Sequence, residues 1–158
     1  MAKEKRSWLD GPQIPSQFDA EGKVSAYPGE NLGLPKEGPR SIATVARRAG
    51  GVAIDWVISL IVGNFIHMFT DQLGGVATVT YMVFILLGII SGWLFARTPG
   101  QALLGMGIAR VDAPGERVGL WRAAVRTVMT GLILPAAFVD TDLRGMHDRA
   151  TGTAVIRG

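Results

Sequence analysis

Asp55 is the residue in this sequence best placed to do chemistry. It is a carboxylate inside RRAGGVAIDWVISLIVG (residues 47–63), a stretch that is otherwise apolar after Arg47 and Arg48. An acid in such surroundings binds a cation, relays a proton, or is neutralised by a partner that fixes how helices pack. At 100° per residue, Thr44, Arg48, Asp55 and Ser59 fall in one narrow sector of a helix, with Gly51 beside them. Arg48 and Asp55 are two turns apart, ~10 Å along the axis, too far for the i,i+4 pairing that stabilises neighbours on a helix face. A partner from elsewhere in the chain is therefore expected, with Arg122 or Arg126 as the candidates. Left bare in an apolar interior the carboxylate would cost about 3 kcal/mol. Asp55 lies only about one turn inside the apolar block, which favours a buried clamp over an exchange site.

Other candidates are weaker. DTDLRGMHD places Asp140, Asp142, His147 and Asp148 within nine residues. A divalent ion would need further ligands that the sequence does not supply, so a turn with local hydrogen bonds is expected, in which Asp148 with Arg144 or Arg149 caps and orients the tail. His67, at the end of an apolar block, fits an interfacial side chain. The chain has no nucleophile–base–orienter set, phosphate-binding loop or dinucleotide fingerprint, so no enzymatic activity, cofactor or metal is expected. It also has no cysteine, which excludes disulfides and thiolate ligands.

These residues must be positioned by apolar blocks. Val76–Ala96 is uncharged over 21 residues, and ~20 apolar residues suffice to cross a hydrocarbon core as a helix. Val52–Phe69 is shorter and carries Asp55, Asn64 and His67. The two predict an antiparallel pair of transmembrane helices, at about residues 48–70 and 76–96, joined by the short turn TDQLGG. A third apolar stretch, Thr127–Val139, is too short for a full crossing and contains Pro135, so a re-entrant or third helix over about 120–139 is expected. IARVD and GTAVIRG alternate like strands. A small cytoplasmic β-hairpin or sheet is expected over 106–118, with Ile108–Val111 pairing with Thr153–Arg157 because a lone hairpin is marginal in water. The fold class that follows is an α-helical membrane protein.

Arg47 and Arg48 precede the first block, and Arg97, Arg110, Arg117, Arg122 and Arg126 follow the second, whereas the turn between has Asp71 and no basic residue. By the positive-inside rule the N-terminus and the C-terminal segment 140–158 are cytoplasmic. The isoelectric point of 9.7 fits that asymmetry and contact with anionic lipid headgroups, without nucleic acid as a partner. GIISG gives Gly88 and Gly92 the spacing that lets helices approach closely, within the chain or across to a partner. Residues 1–44 form a separate tail, expected to be extended. Its first 40 residues hold five of the eight prolines and balanced charge. Trp8, Phe18 and Tyr27 are spaced as anchors that could lie on another protein.

Taken in order, Arg48 and Asp55 at the head of a block, TPGQALLGMGIARVDAPG, Arg122 and Arg126, and MHDRATGTAVI closely resemble the RDD family of small bacterial membrane proteins, over about residues 45–157. The resemblance makes Arg48 the family's arginine and Asp55 its first aspartate. The second aspartate is Asp112 or Asp148, and the remaining motif positions are Gly100, Gln101, His147, Asp148, Gly152 and Thr153. It implies a multi-pass protein of the bacterial cell (inner) membrane. Some members are implicated in sodium/proton exchange. Two functions follow: an accessory subunit at the edge of a larger membrane complex, such as a respiratory supercomplex, or an oligomeric cation/proton antiporter using Asp55. Two spans, no internal repeat and no catalytic set favour the accessory role.

Overall fold

The structure, a computed structural model, describes residues 26–132 and 144–158. Trp8, Phe18, Pro135, Asp140 and Asp142 lie outside these residues, as does the end of the expected third helix. The described chain is mostly helical. Helix α1 spans Val45–His67 and starts where the Thr44 hydroxyl accepts the Arg47 N–H at 3.3 Å, a capping contact that supplies one of the acceptors a helix start lacks. Helix α2 spans Val76–Phe95 and ends on Ala96 in the left-handed conformation, φ 53°. Both helices are long and apolar enough to cross a membrane. A short helix α3 (Pro99–Leu103), strand β1 (Met106–Arg110), helix α4 (Leu120–Gly131), helix α5 (Met146–Thr151) and strand β2 (Thr153–Arg157) complete the described elements.

Strand β1 pairs antiparallel with β2, from Met106 opposite Arg157 to Arg110 opposite Thr153. No second strand lies within 106–118, so the sheet joins distant segments and is not a local hairpin there. Met106 packs with Val155 across the sheet, whereas 111–119 turns through Gly115 at φ 86° and returns Val118 to pack on Ile108 without pairing as a strand. The free edge of β2 is covered by the end of the tail. Ala43 N–H donates to Val155 O at 2.9 Å, Arg157 N–H to Ser41 O at 2.8 Å, and Arg40 N–H to Arg157 O at 2.8 Å. Leu32 and Leu34 pack on Ile42 and Ala154. The boundary expected at residue 44 therefore moves toward the N-terminus. The half-buried Tyr27 belongs to a segment folded back on its own chain, because an unpaired strand edge and the apolar Ile42 both need cover.

The helices are packed inside out relative to a water-soluble core. Facing inward on α1 are Gly51, Asp55, Ser59 and Gly63, and on α2 Thr80, Gly88, Ser91 and Gly92 together with Val79 and Phe84. Facing outward are Ile61, Phe65, Leu94 and Phe95, all more than half exposed. On α4 the buried residues are Ala123 and Arg126, while Trp121 is 73% exposed. Most of the hydroxyls on these helices are satisfied within their own helix, the buried Thr80 hydroxyl being without a partner among the described residues. Ser59, Ser91, Thr127 and Thr130 each donate to the carbonyl four residues earlier.

Small residues set the approach distances. A Cβ on Gly63 would lie 2.6 Å from Thr80 Oγ1, and one on Gly88 would lie 2.9 Å from Thr127 Oγ1. Gly92 faces Ala123. The GIISG motif is thus occupied by α4 of the same chain, which answers whether its partner helix is internal. The tightest approach is between Gly51 and Gly100, where a Cβ on Gly100 would collide with the Gly51 carbonyl oxygen. Gly100→Ala is accordingly expected to destabilise the protein by about 1–3 kcal/mol in a detergent-unfolding titration followed by circular dichroism, while Gly75→Ala, which meets no neighbour, leaves the midpoint unlowered.

Candidate functional site

The first buried carboxylate, Asp55, is 5% exposed. Its partner is not the expected arginine. Asp55 Oδ1 accepts the Gly100 backbone N–H at 2.7 Å, with the Thr98 hydroxyl alongside. The surrounding chain explains this choice. Thr98 and Gln101 form a reciprocal capping box at the start of α3, with Gln101 N–H to Thr98 Oγ1 at 3.3 Å and Thr98 N–H to Gln101 Oε1 at 3.0 Å. Pro99 has no N–H. Gly100 carries the one remaining donor of that first turn, and Asp55 takes it. A helix start lying against α1 thereby has every donor satisfied, and the carboxylate has an acceptor role that needs no cation.

The second carboxylate, Asp148, is fully buried and joins more of the chain. Arg48 Nη1 of α1 donates to its Oδ2 at 3.2 Å, and Arg126 Nη1 of α4 donates to its Oδ1. Arg126 Nη1 also reaches Thr153 Oγ1 at 2.7 Å, and Thr153 lies 2.9 Å from Thr151 Oγ1. Arg144 donates to the backbone oxygens of Thr153 and Asp148 at 3.1 and 3.3 Å. One carboxylate thus ties the first helix, the fourth helix, α5 and the closing strand.

Asp112 has a different role. It accepts both nitrogens of the Arg110 fork at 3.0 Å and pairs with Arg122 at 3.0 Å, at the exposed end of the sheet. The Arg110 hydrogen bonds, with the charges of Arg110 and Arg122, hold its carboxyl down to about 2. Arg122 also donates to Thr151 O at 2.6 Å. Between Asp112 and Asp148, it is Asp148 that meets Arg48 and Arg126.

His147 is buried next to this cluster, its Nε2 3.6 Å from Asp148 Oδ1 and its Nδ1 without a hydrogen-bond partner among the described residues. Burial, and then the charges of Arg126 and Arg48, push it well below its ordinary value, so the ring is neutral at physiological pH. His67 lies apart, 3.6 Å from Asp71 at the far turn. No group of three or more metal-ligating side chains forms among the described residues.

Sequence reasoning placed Arg48, Arg126, His147 and Asp148 among the candidates and set Arg144 beside Asp148, but it assigned Arg122 or Arg126 to Asp55 and missed Thr98 as part of the Asp55 site. The TPGQ capping box was the available signal. Scanned against family models, curated proteins and solved structures, the chain matches none. Its reading rests on the geometry above.

Removing one partner of a buried pair leaves an uncompensated charge. Asp148→Asn is expected to cost about 3–5 kcal/mol of stability in detergent-unfolding titrations, while Asp112→Asn, at a solvated pair, leaves the midpoint nearly unchanged. Because the folded protein holds His147 below its unfolded value of about 6.5, the unfolded chain takes up a proton first as pH falls. Stability present at pH 7 is therefore lost below about pH 6.5, with a slope of up to about 1.4 kcal/mol per pH unit. Unfolding midpoints measured from pH 7 to 5 should fall less steeply in His147→Gln.

Proposed function

We propose that this chain is a non-enzymatic integral membrane protein of the RDD kind, acting as an accessory or stabilising subunit of a larger membrane complex. The observation that carries the membrane reading is the inverted packing. Only 22% and 33% of the apolar stretches of α1 and α2 are buried, and apart from Val79 and Phe84 what they bury is small or polar. A helix with its apolar surface outward is stable where lipid, and not water, surrounds it, and polar groups in such a setting face the interior and pair with one another. The resemblance to the RDD family supports the same reading and suggests the bacterial cell membrane. The distribution of arginine supports a cytoplasmic N-terminus.

The accessory role is supported by the state of the two buried acids. Asp55 is held by a fixed backbone donor, and Asp148 by two guanidinium groups, so both serve as joints of the scaffold. The large apolar outer faces of α1 and α2 are available to lipid or to a neighbouring membrane subunit. A second reading, cation/proton exchange by an oligomer, is favoured by one observation: Asp55 borders a cavity that also exposes Arg48, Arg126 and His147.

The two readings separate experimentally. Extraction of the tagged protein from its native membrane in mild detergent should yield a defined larger complex, and deletion of residues 1–25 should release the chain from it without unfolding the domain. A homo-oligomer without partners would overturn the accessory role. In reconstituted vesicles, Asp55→Asn is expected to leave sodium-driven proton flux at the background level of the unsubstituted protein. A flux that the unsubstituted protein supports and Asp55→Asn abolishes would establish exchange instead.

A further inference from the structure

Helix α2 packs against both α1 and α4, and a cavity of about 360 Å³ lies between these two flanks. Its size falls within the ~300–1,000 Å³ of small-molecule sites. The walls are of two kinds. Val52 and Phe84 give an apolar side, whereas Arg48, Arg126 and His147 bring nitrogen donors to the same space.

The polar wall is incompletely used. Arg126 is 5% exposed, lines the cavity and directs its Nη1 to Asp148 and Thr153. The buried Nδ1 of His147 has no hydrogen-bond partner among the described residues. At 3.6 Å its Nε2 is outside hydrogen-bond range of Asp148, so the neutral ring can carry its proton on Nδ1 and donate it. Buried donors without acceptors are costly, and an oxyanion satisfies a guanidinium and an imidazole N–H together. Asp55, the acid on the lining, is two turns along α1 from Arg48 and directs Oδ1 at Gly100, away from this role.

The geometry points to a binding site for one amphiphile whose phosphate or carboxylate oxyanion rests on Arg126, Arg48 and His147 while its chain lies against Val52 and Phe84. Within the membrane reading, on which this site rests, the source is an anionic lipid of the surrounding bilayer. A free phosphate group shares the head-group chemistry but would leave the apolar wall unused.

Native mass spectrometry of the full chain, delipidated in a neutral detergent, tests the site with dioleoylphosphatidylglycerol, dioleoylglycerol and inorganic phosphate as probes. The expected result is one phosphatidylglycerol per chain, retained at least ten-fold better than dioleoylglycerol. Ala49→Phe, which adds a ring to the lining at a position that makes no hydrogen bond to Asp148, should weaken it at least ten-fold with an unchanged helical signal. His147→Gln should weaken it several-fold. Displacement of the lipid by millimolar phosphate would support the oxyanion site and assign its source to the aqueous pool. Equal retention of phosphatidylglycerol and dioleoylglycerol, or retention unaffected by Ala49→Phe, would overturn the site. Incorporation of the same preparation into vesicles keeps this failure distinct, since a chain that does not incorporate would overturn the membrane reading itself.

Discussion

The carboxylate of Asp148 is shared by two arginines, Arg48 near the start of α1 and Arg126 in the middle of α4, and the remaining arrangement depends on that sharing. Two cations this deeply placed would be expensive singly, and one carboxylate between them, assisted by Thr153, makes both tolerable. The consequence is topological. The short α5 that carries Asp148 must sit beneath the first and fourth helices, and β2, which starts two residues after α5 ends, is then delivered alongside β1. The sheet in turn holds Ser41, Ile42 and Ala43 against its free edge, just before α1 begins. The chain is closed on itself at one end by a polar joint and a small sheet.

At the other end the helices meet by the absence of side chains. Gly63 lies on Thr80, and Gly88 on Thr127. Approach this close needs small residues at the contact. Asp55 belongs to the same logic. It satisfies the last donor of the α3 start and thereby fastens the segment leaving α2 to the side of α1, across the Gly51–Gly100 contact that no side chain could share.

The cavity between α1 and α4 follows from these two fastenings. The polar joint holds α1 and α4 at a separation set by the reach of two arginine side chains, while α2 contacts each of them separately. Space is left where long guanidinium arms, and not interdigitating apolar residues, bridge the gap. Arg126 and His147 line that space, and His147 Nδ1 has no hydrogen-bond partner among the described residues.

The sequence by itself determined the two long apolar helices, the strands at Ile108 and Val155, the internal polar stripe of α1 and the identity of most charged residues that matter. Each of these follows from local composition and periodicity, which any chain must satisfy wherever it folds. It did not determine the pairing. Arg48 to Asp148 spans a hundred residues, and nothing local distinguishes Asp148 from Asp112 as its partner. The choice was made by burial, since α5 packs Asp148 under α1 and α4 whereas Asp112 stays at the solvated end of β1. The partner of Asp55 was hidden for a related reason. A backbone N–H carries no residue-type signature, so only the docking of α3 against α1 shows that the carboxylate is satisfied without an arginine.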